Sequence, residues 1–500
     1  MTLNIDSSER HAEEFEEKLK LAKGLSDTEP DKAMALLMDL SEDQIDNPLI
    51  MFLIGYIYLR AEKLGPAFQY LRRTLELAPH RWEAWTNVGR IYDQLDMYET
   101  ALPYFEQAWE IHPSAGTAAN MSVVHLNMGN LEEGLEWARK GLEFNPDDHR
   151  CWENVGYTSL GLHDWIEGWK GYEYGLGMQF RKEWTYGDEQ RWDGTPGKTV
   201  VFYGEQGLGD EILFSSIIPD AIKDCKEVII DCDSRLAGLF KRSFPDAFVY
   251  GTRRDESPVW DRAFSIDARC AMGSLPQFYR KADNDFPGTP YLKSDPERHI
   301  MWHALFESWG KRPKIGVAWS GGQKTTQGRF RYIETAVIEE LTRIFDADFI
   351  SLQYKDSESI KNVRHFKAIQ TDDYDDTAAL VANLDLVIGI PTTVIHLAGA
   401  LGIPTLCLVP KYINWRFQRE PWVWNKSVKL LRMEDNYIDT LVEEIRERLP
   451  GIYRGGSQAT PGLHSAAIID YPKSVKAHPD NPPSNPTITH KTARLNRLHF

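Results

Sequence analysis

Cysteine is scarce in this sequence. There are five residues in 500 (Cys151, Cys225, Cys232, Cys270 and Cys407), odd in number and scattered. No CxxC pair occurs, so neither a disulfide framework nor a structural zinc site is indicated, and a reducing, cytoplasmic setting is expected. Long apolar runs are also missing. No stretch of about 18 apolar residues occurs, so no membrane-spanning helix is expected. The N-terminal segment MTLNIDSSERHAEEFEEKLK has no apolar centre and does not read as a signal peptide. Positive charge is in deficit, with 57 Lys and Arg against 74 Asp and Glu and a net charge of −17. That argues against general binding to nucleic-acid backbone or an anionic membrane, both of which need a basic surface. It leaves room for a local basic pocket. Hydrolase signatures are absent: there is no HExxH, no GxSxG and no Cys/His pair of known spacing.

The length suggests three or so domains. At 42% hydrophobic and 26% charged, the chain has enough apolar material for sizeable cores. Prolines 79, 113 and 146 are spaced 34 and 33 apart, and each closes a similar pattern. The clearest copy holds Trp85, Val88, Gly89, Tyr92, Ala101, Phe105, Ala108 and Pro113. The preceding copy holds Ile54, Gly55, Tyr58, Ala67, Leu71 and Pro79, and a further one begins with Trp152, Val155 and Gly156. This is the tetratricopeptide order of large, small and aromatic residues. Small residues let two helices of a pair approach, and the aromatics fill the gap to the next pair. Each pair then has an apolar face that only a neighbour covers, which makes stacking obligatory. Repeats are expected over 48–176. Residues 1–47 form an N-terminal helical segment that reads as a degenerate copy.

Residues 177–196 read as a connector rich in aromatics and charge. From 197 the period changes. TVVFY, VIIDCD and AFVYG alternate with helical stretches, ILFSSIIPDAIKDC being read as one helix. A second unit begins at KIGVAWSG and continues through DFISLQY, LVIGI and PTLCLVP. Strands alternating with helices predict parallel α/β sheets. The expected architecture is an α superhelix followed by two Rossmann-like lobes, at 197–292 and 293–450. Residues 451–500 carry six Lys or Arg, two Asp and repeated Pro, Ser and Asn, a composition that predicts a disordered tail.

Ligands of open α/β sheets bind outside the carboxyl ends of the strands. That rule singles out the loops after the strands. In GEQGLGDE (204–211), Gly207 and Gly209 permit close approach to the backbone, and helix-start amides favour an anion. Asp210 there is either a helix cap or a general base at a cleft. The 319–331 loop gathers Lys324, Arg329 and Arg331, which suit a diphosphate or are ordinary solvated charge. Thr392 and Thr393, at a strand-to-helix turn, offer hydroxyls and amides to a phosphate or plain N-capping, and His396 lies one turn further in. Asp231 and Asp233 match a DxD metal signature, but a cap at a strand end explains them more simply. In the acidic cluster 372–376, Asp376 caps the following helix or reaches a ribose hydroxyl.

Taken together, RWDG (Arg191–Gly194), EQGLGDEILF (Glu205–Phe214), IGVAWSGG (Ile315–Gly322), SLQ (Ser351–Gln353), DTAALVANLDLVI (Asp376–Ile388) and HLAGALGIP (His396–Pro404) resemble a known architecture. It is that of bacterial tetratricopeptide proteins fused to a GT-B glycosyltransferase domain. That domain is similar to the lipopolysaccharide heptosyltransferases and, more distantly, to the protein O-GlcNAc transferases. The resemblance covers roughly 48–450. It implies an inverting, metal-independent transfer from a nucleotide-diphosphate sugar, with no further cofactor. The acceptor would be a polypeptide or a surface glycan, docked through the repeat groove. It also implies that Asp210 is the base on the acceptor hydroxyl. Ser320, Lys324, Arg331, Thr392, Thr393 and His396 then hold the donor's phosphates, while Gln353 and Asp376 lie beside the nucleoside. Pro391 stands where that family carries an aspartate. The competing expectation is a catalytically inactive α/β module in a repeat scaffold.

Overall fold

The computed structural model describes residues 3–44, 46–178, 180–253, 260–321, 330–354, 360–367, 373–434 and 436–454. Helices occupy the first part of the chain in successive pairs. They are α1 (Leu3–Leu25) with α2 (Pro30–Asp43), α3 (Pro48–Arg60) with α4 (Leu64–Leu77), α5 (Trp82–Gln94) with α6 (Tyr98–Ile111), α7 (Ala115–Met128) with α8 (Leu131–Phe144), and α9 (His149–Leu162) with α10 (Trp165–Glu173). The spaced prolines lie just beyond α4, α6 and α8, where a residue that cannot donate to the helical ladder stops the second helix of each pair. Two of them also anchor the next pair: Trp85 Nε1 donates to the Pro79 carbonyl at 2.7 Å and Trp152 Nε1 to that of Pro146 at 2.8 Å. The small residues act as expected. A methyl group on Gly89 would lie 2.7 Å from the Phe105 ring. The N-terminal pair joins the stack, with Leu19, Ala22, Ala33 and Leu37 sharing a core with Ile50 and Ile54. It is therefore a first repeat-like pair.

Two parallel sheets follow. The first contains β1 (Gln190–Arg191), β2 (Thr199–Tyr203), β3 (Glu227–Asp231), β4 (Phe248–Tyr250) and β5 (Ala268–Ala271), in the order β1-β5-β2-β3-β4. Its helices are α11 (Leu208–Ser215), α12 (Ile218–Asp224), α13 (Ala237–Ser243) and α14 (Pro276–Tyr279). The single helix expected after β2 is two: Pro219 lies in the first turn of α12, and its missing N–H ends the ladder of α11. The connector is not merely a linker, because Gln190–Arg191 pairs with β5 as an edge strand and Trp192 is buried in the core.

After α15 (Pro296–Glu307), the second sheet comprises β6 (Lys314–Ala318), β7 (Asp348–Ser351), β8 (Val363–Arg364), β9 (Leu386–Gly389), β10 (Thr405–Val409) and β11 (Val428–Arg432). Its helices are α16 (Thr335–Ile344), α17 (Tyr374–Val381), α18 (Thr393–Leu401) and α19 (Tyr437–Arg448). The order β11-β10-β9-β6-β7-β8 is the doubly wound 3-2-1-4-5-6 arrangement, with its switch point between β6 and β9. Most strand positions are fully buried, as expected for a parallel sheet covered on both faces.

The sheets are joined closely. α11 packs on α18, the Tyr291 and Leu292 amides donate to the Ala400 carbonyl, and the Tyr291 hydroxyl donates to that of Ile212 at 2.7 Å. The last helix of the repeats is bound just as firmly. Trp169 Nε1 donates to the Arg280 carbonyl at 2.7 Å, and the wholly buried Arg181 bonds the Tyr172 carbonyl, Glu173, Glu205 and Ser274. The segment expected to be a disordered tail begins at 451, but residues 452–454 are ordered against the second lobe through Phe345, Asp346 and Ile344, and from 455 onward it lies outside the described residues.

Candidate functional site

The glycine turn after β2 and the threonine turn after β9 meet face to face. A methyl group on Gly209 would lie 3.1 Å from the His396 ring and 3.4 Å from Thr393 Oγ1, so α11 and the start of α18 approach closely here. Asp210 sits at this seam. Its Oδ2 accepts the Gly207 amide at 3.2 Å, closing the first turn of α11, and its Oδ1 is 2.9 Å from Arg416 Nη2. The cap and the cleft carboxylate that sequence left as alternatives are thus the same residue in both places.

Loop 319–333 leaves β6 at the switch point and is closed at its base. The Ile333 amide donates to the Trp319 carbonyl at 2.8 Å, and Ser320 bridges to Tyr332. Ser320 and the buried Gln353, which follows β7, hold each other through two Nε2 contacts, at 3.1 Å to the Ser320 carbonyl and 2.5 Å to its hydroxyl. Gln353 therefore fixes Ser320. Arg331 returns toward the site, 9% exposed, and donates through Nη1 to the Pro391 carbonyl at 3.2 Å. A methyl group on Gly321 would press on the Thr392 side chain at 2.7 Å, so the segment just after β6 lies against the threonine turn. Lys324 and Arg329, the other two cations assigned to the loop, lie outside the described residues.

Thr392 is the N-cap residue of α18 by backbone geometry, yet its hydroxyl caps nothing. Its Oγ1 is buried without a hydrogen-bond partner among the described residues, and so are Arg331 Nε, His396 Nδ1 and Arg416 Nε. Four such atoms in one place are costly, because a buried polar atom without a partner forfeits about 1–3 kcal/mol. His396 lies between Phe417 and Trp422, with ring centroids 5.5 and 5.7 Å away. Burial pushes its pKa down to about 4; the Asp210 charge opposes that shift, and Arg416 and Arg331 add to it. The imidazole is therefore neutral at physiological pH. The crevice thus offers two guanidinium groups, a neutral imidazole, a free hydroxyl and the amides opening α18, all suited to an anion with several oxygens.

Sequence reasoning missed Arg416. It lies in the segment after β10, and its Nη2 also reaches Gln206 Oε1 at 3.2 Å and the Tyr172 hydroxyl of α10 at 3.3 Å. The signal was available: NWRFQREPWVW (414–424) follows a buried parallel strand, the same rule that singled out the other loops.

Asp376 is engaged elsewhere. It lies in the first turn of α17, 3.2 Å from Arg298 of α15, beside Asp373, which accepts the Asp375 amide as N-cap. The DxD pair is also committed. Asp231 accepts the Thr252 amide and hydroxyl and the Tyr186 hydroxyl, and Asp233 accepts from Arg235 and Arg253. Among the described residues, no three His, Cys, Asp or Glu side chains are grouped to hold a metal ion.

A separate groove of about 400 Å³ runs along the first helices of successive repeat pairs, lined by Phe52, Tyr56, Trp82, Asn87, Asn120 and Arg150 among others. No helix among the described residues is long and apolar enough to cross a membrane.

Comparison with known proteins bears on the repeats first. Residues 54–126 match the tetratricopeptide repeat family. The chain is 27% identical to Protein FlbA of Caulobacter vibrioides over 395 residues, covering 73% of this chain and 66% of that protein. It is 23% identical to the tetratricopeptide repeat-containing protein trd-1 of Caenorhabditis elegans over 145 residues, 29% of this chain and 18% of that one. The chain spans less than two thirds of either relative's length. Among solved structures, MamA 41-end from Desulfovibrio magneticus RS-1 matches 31% of this chain and 90% of its own, at 18% identity and a TM-score of 0.27. The N-terminal part is a tetratricopeptide superhelix, of a kind suited to protein–protein interaction, followed by parallel α/β sheets.

Proposed function

We propose that the chain is a glycosyltransferase of GT-B type, moving a sugar from a nucleotide-diphosphate sugar to a polypeptide or glycan acceptor. One observation carries the reading. Four side-chain atoms capable of binding an anion are buried without a partner among the described residues where three chain-distant loops meet, and one of their side chains, Arg416, pairs with the Asp210 carboxylate. Arg331, Thr392, Thr393, His396 and the start of α18 take up the charge of the leaving diphosphate. The Ser320–Gln353 pair fixes the segment that leaves β6 beside the threonine turn. Asp210 accepts the proton of the acceptor hydroxyl as that oxygen attacks the anomeric carbon and the bond to the diphosphate breaks on the opposite face, inverting the centre. Fixed cations and a helix start serve as electrostatic stabilisers, so no metal step is invoked. Arg331 reaches the backbone carbonyl of Pro391; the aspartate this position carries in the resembling family is not needed to hold that arginine. The inner groove of the repeats presents the acceptor.

The test is incubation of the full chain with a panel of sugar nucleotides, reading nucleoside-diphosphate release. Asp210→Ala is expected to lower turnover by roughly 10²–10⁴ while the protein stays folded. Undiminished turnover removes Asp210 from the mechanism. The scaffold reading is favoured by the commitment of both Asp210 oxygens in this structure. It gains ground if no nucleoside diphosphate raises the thermal midpoint, because a ligand that binds only the folded state must stabilise it.

A further inference from the structure

Both Asp210 oxygens are engaged here, which leaves the carboxylate fewer open lone pairs for an acceptor hydroxyl. One accepts the Gly207 amide and the other faces Arg416 at 2.9 Å. The first contact is a local turn contact. The second spans the cleft between the two sheets, and it is the one that can be exchanged. Arg416 is under-used. A single nitrogen, Nη2, with two hydrogens, is shared among three oxygens: Asp210 Oδ1, Gln206 Oε1 and the Tyr172 hydroxyl. Its Nε is buried and has no hydrogen-bond partner among the described residues. The guanidinium rests over the faces of Trp415 and Phe214, 4.7 and 5.6 Å from the ring centroids, surfaces along which a planar cation can slide without losing contact. Arg331 and His396, with their own unpartnered atoms, feel the same Asp210 and Arg416 charges.

We propose that Arg416 is a donor-sensing residue that masks the base. In the unliganded protein it neutralises Asp210. When a nucleoside diphosphate enters beside Arg331 and Thr392, the guanidinium turns its free edge to the phosphate oxygens and gives up Asp210 Oδ1. The carboxylate is then released to accept the acceptor's proton only in the presence of donor, so donor binds before acceptor. No bond is made or broken in this step; one ion pair is exchanged for another. The inference rests on the diphosphate reading above and adds to it the order of events and the residue that imposes it.

Competition for one cation has a signature independent of turnover. If Asp210 and the diphosphate compete for Arg416, removing the carboxylate's charge must tighten diphosphate binding, and only through Arg416. Isothermal titration of the full chain with UDP, GDP, ADP and CDP identifies the probe that binds best. With that probe, Asp210→Asn is expected to bind roughly tenfold tighter than wild type and Arg416→Gln weaker, while adding Asp210→Asn to Arg416→Gln changes affinity less than twofold. Mere removal of a nearby negative charge predicts the same tightening in both backgrounds, and that result overturns the proposal. So does an Asp210→Asn protein that binds no tighter than wild type. If none of the four probes binds wild type, the diphosphate reading itself fails, an outcome distinct from failure of the Arg416 exchange.

Discussion

The repeats and the crevice both bury polar groups, and they treat them differently. Beside the last repeat a buried cation is fully engaged. Arg181 is wholly buried, and its guanidinium meets two carboxylates, a backbone carbonyl and a serine hydroxyl. Unpartnered buried atoms in the superhelix, such as Thr86 Oγ1, His125 Nδ1 and Ser159 Oγ, fall one at a time along it. In the crevice, Arg331, Thr392, His396 and Arg416 each leave an atom unmatched among the described residues, within one cluster. The difference teaches where folding is the end served and where it is not. A protein tolerates locally unfavourable chemistry where binding will complete it, and spends packing elsewhere to hold it in place.

That contrast is sharpest when a matched cation is removed. Arg181→Met is expected to destabilise the chain by about 3–5 kcal/mol, because Glu205, which burial already pushes toward the protonated form, loses its partner. Chemical denaturation measures it, and a change below 1 kcal/mol breaks the comparison. Gly156→Val comes next. Where α9 crosses α10, a methyl group on Gly156 would lie 2.4 Å from the Tyr172 amide nitrogen, and one on Gly171 would lie as close to Gly156. Backbone cannot yield as a side chain does, so a loss of about 3 kcal/mol is expected, with the helices of the last repeat losing hydrogen-exchange protection first.

The crevice answers to acid instead. The folded pKa of His396 is depressed to about 4 from 6.5. Its neutral form therefore supports the fold fully above pH 6.5, and that support is lost as pH falls toward 4, up to about 3 kcal/mol. His396→Gln should flatten the stability profile across that window. An unchanged slope would show that the imidazole is not held neutral by its surroundings.

How much of this could be read from sequence differs between the same two regions. The repeats were legible because stacking imposes a spacing, and the prolines beyond α4, α6 and α8 record it directly. Buried parallel strands such as TVVFY and KIGVA were legible as continuous apolar runs. The edge strand at Gln190–Arg191 was not, since two exposed polar residues become a strand only when β5 lies beside them. The loops of the crevice followed from topology, because strand ends at a switch point meet whatever their sequence. The unmatched atoms did not, and the same rule reaches the segment that carries Arg416 but not the contact this arginine makes with Asp210. Its partner lies on the other lobe, and nothing local in NWRFQREPWVW encodes that an aspartate two hundred residues away will face it. Asp376 illustrates the converse: a helix-start carboxylate reads alike whether it faces a ligand or, as here, Arg298.

The smallest effect discriminates best. Arg331 is as buried as many core residues, yet among the described residues its side chain makes a hydrogen bond through Nη1 alone, to the Pro391 carbonyl, and its Nε has no partner. Burying a cation without a carboxylate against it costs more than the one neutral hydrogen bond returns. Methionine has similar length and no charge to desolvate. Arg331→Met should therefore raise stability by about 1 kcal/mol, the opposite sign to Arg181→Met, while abolishing the thermal shift produced by a nucleoside diphosphate. Thermal unfolding with and without the nucleotide reads both. Arg331→Met that destabilises as Arg181→Met does would mean that the arginine is a structural member of the lobe and that the contrast between matched and unmatched cations has no functional content.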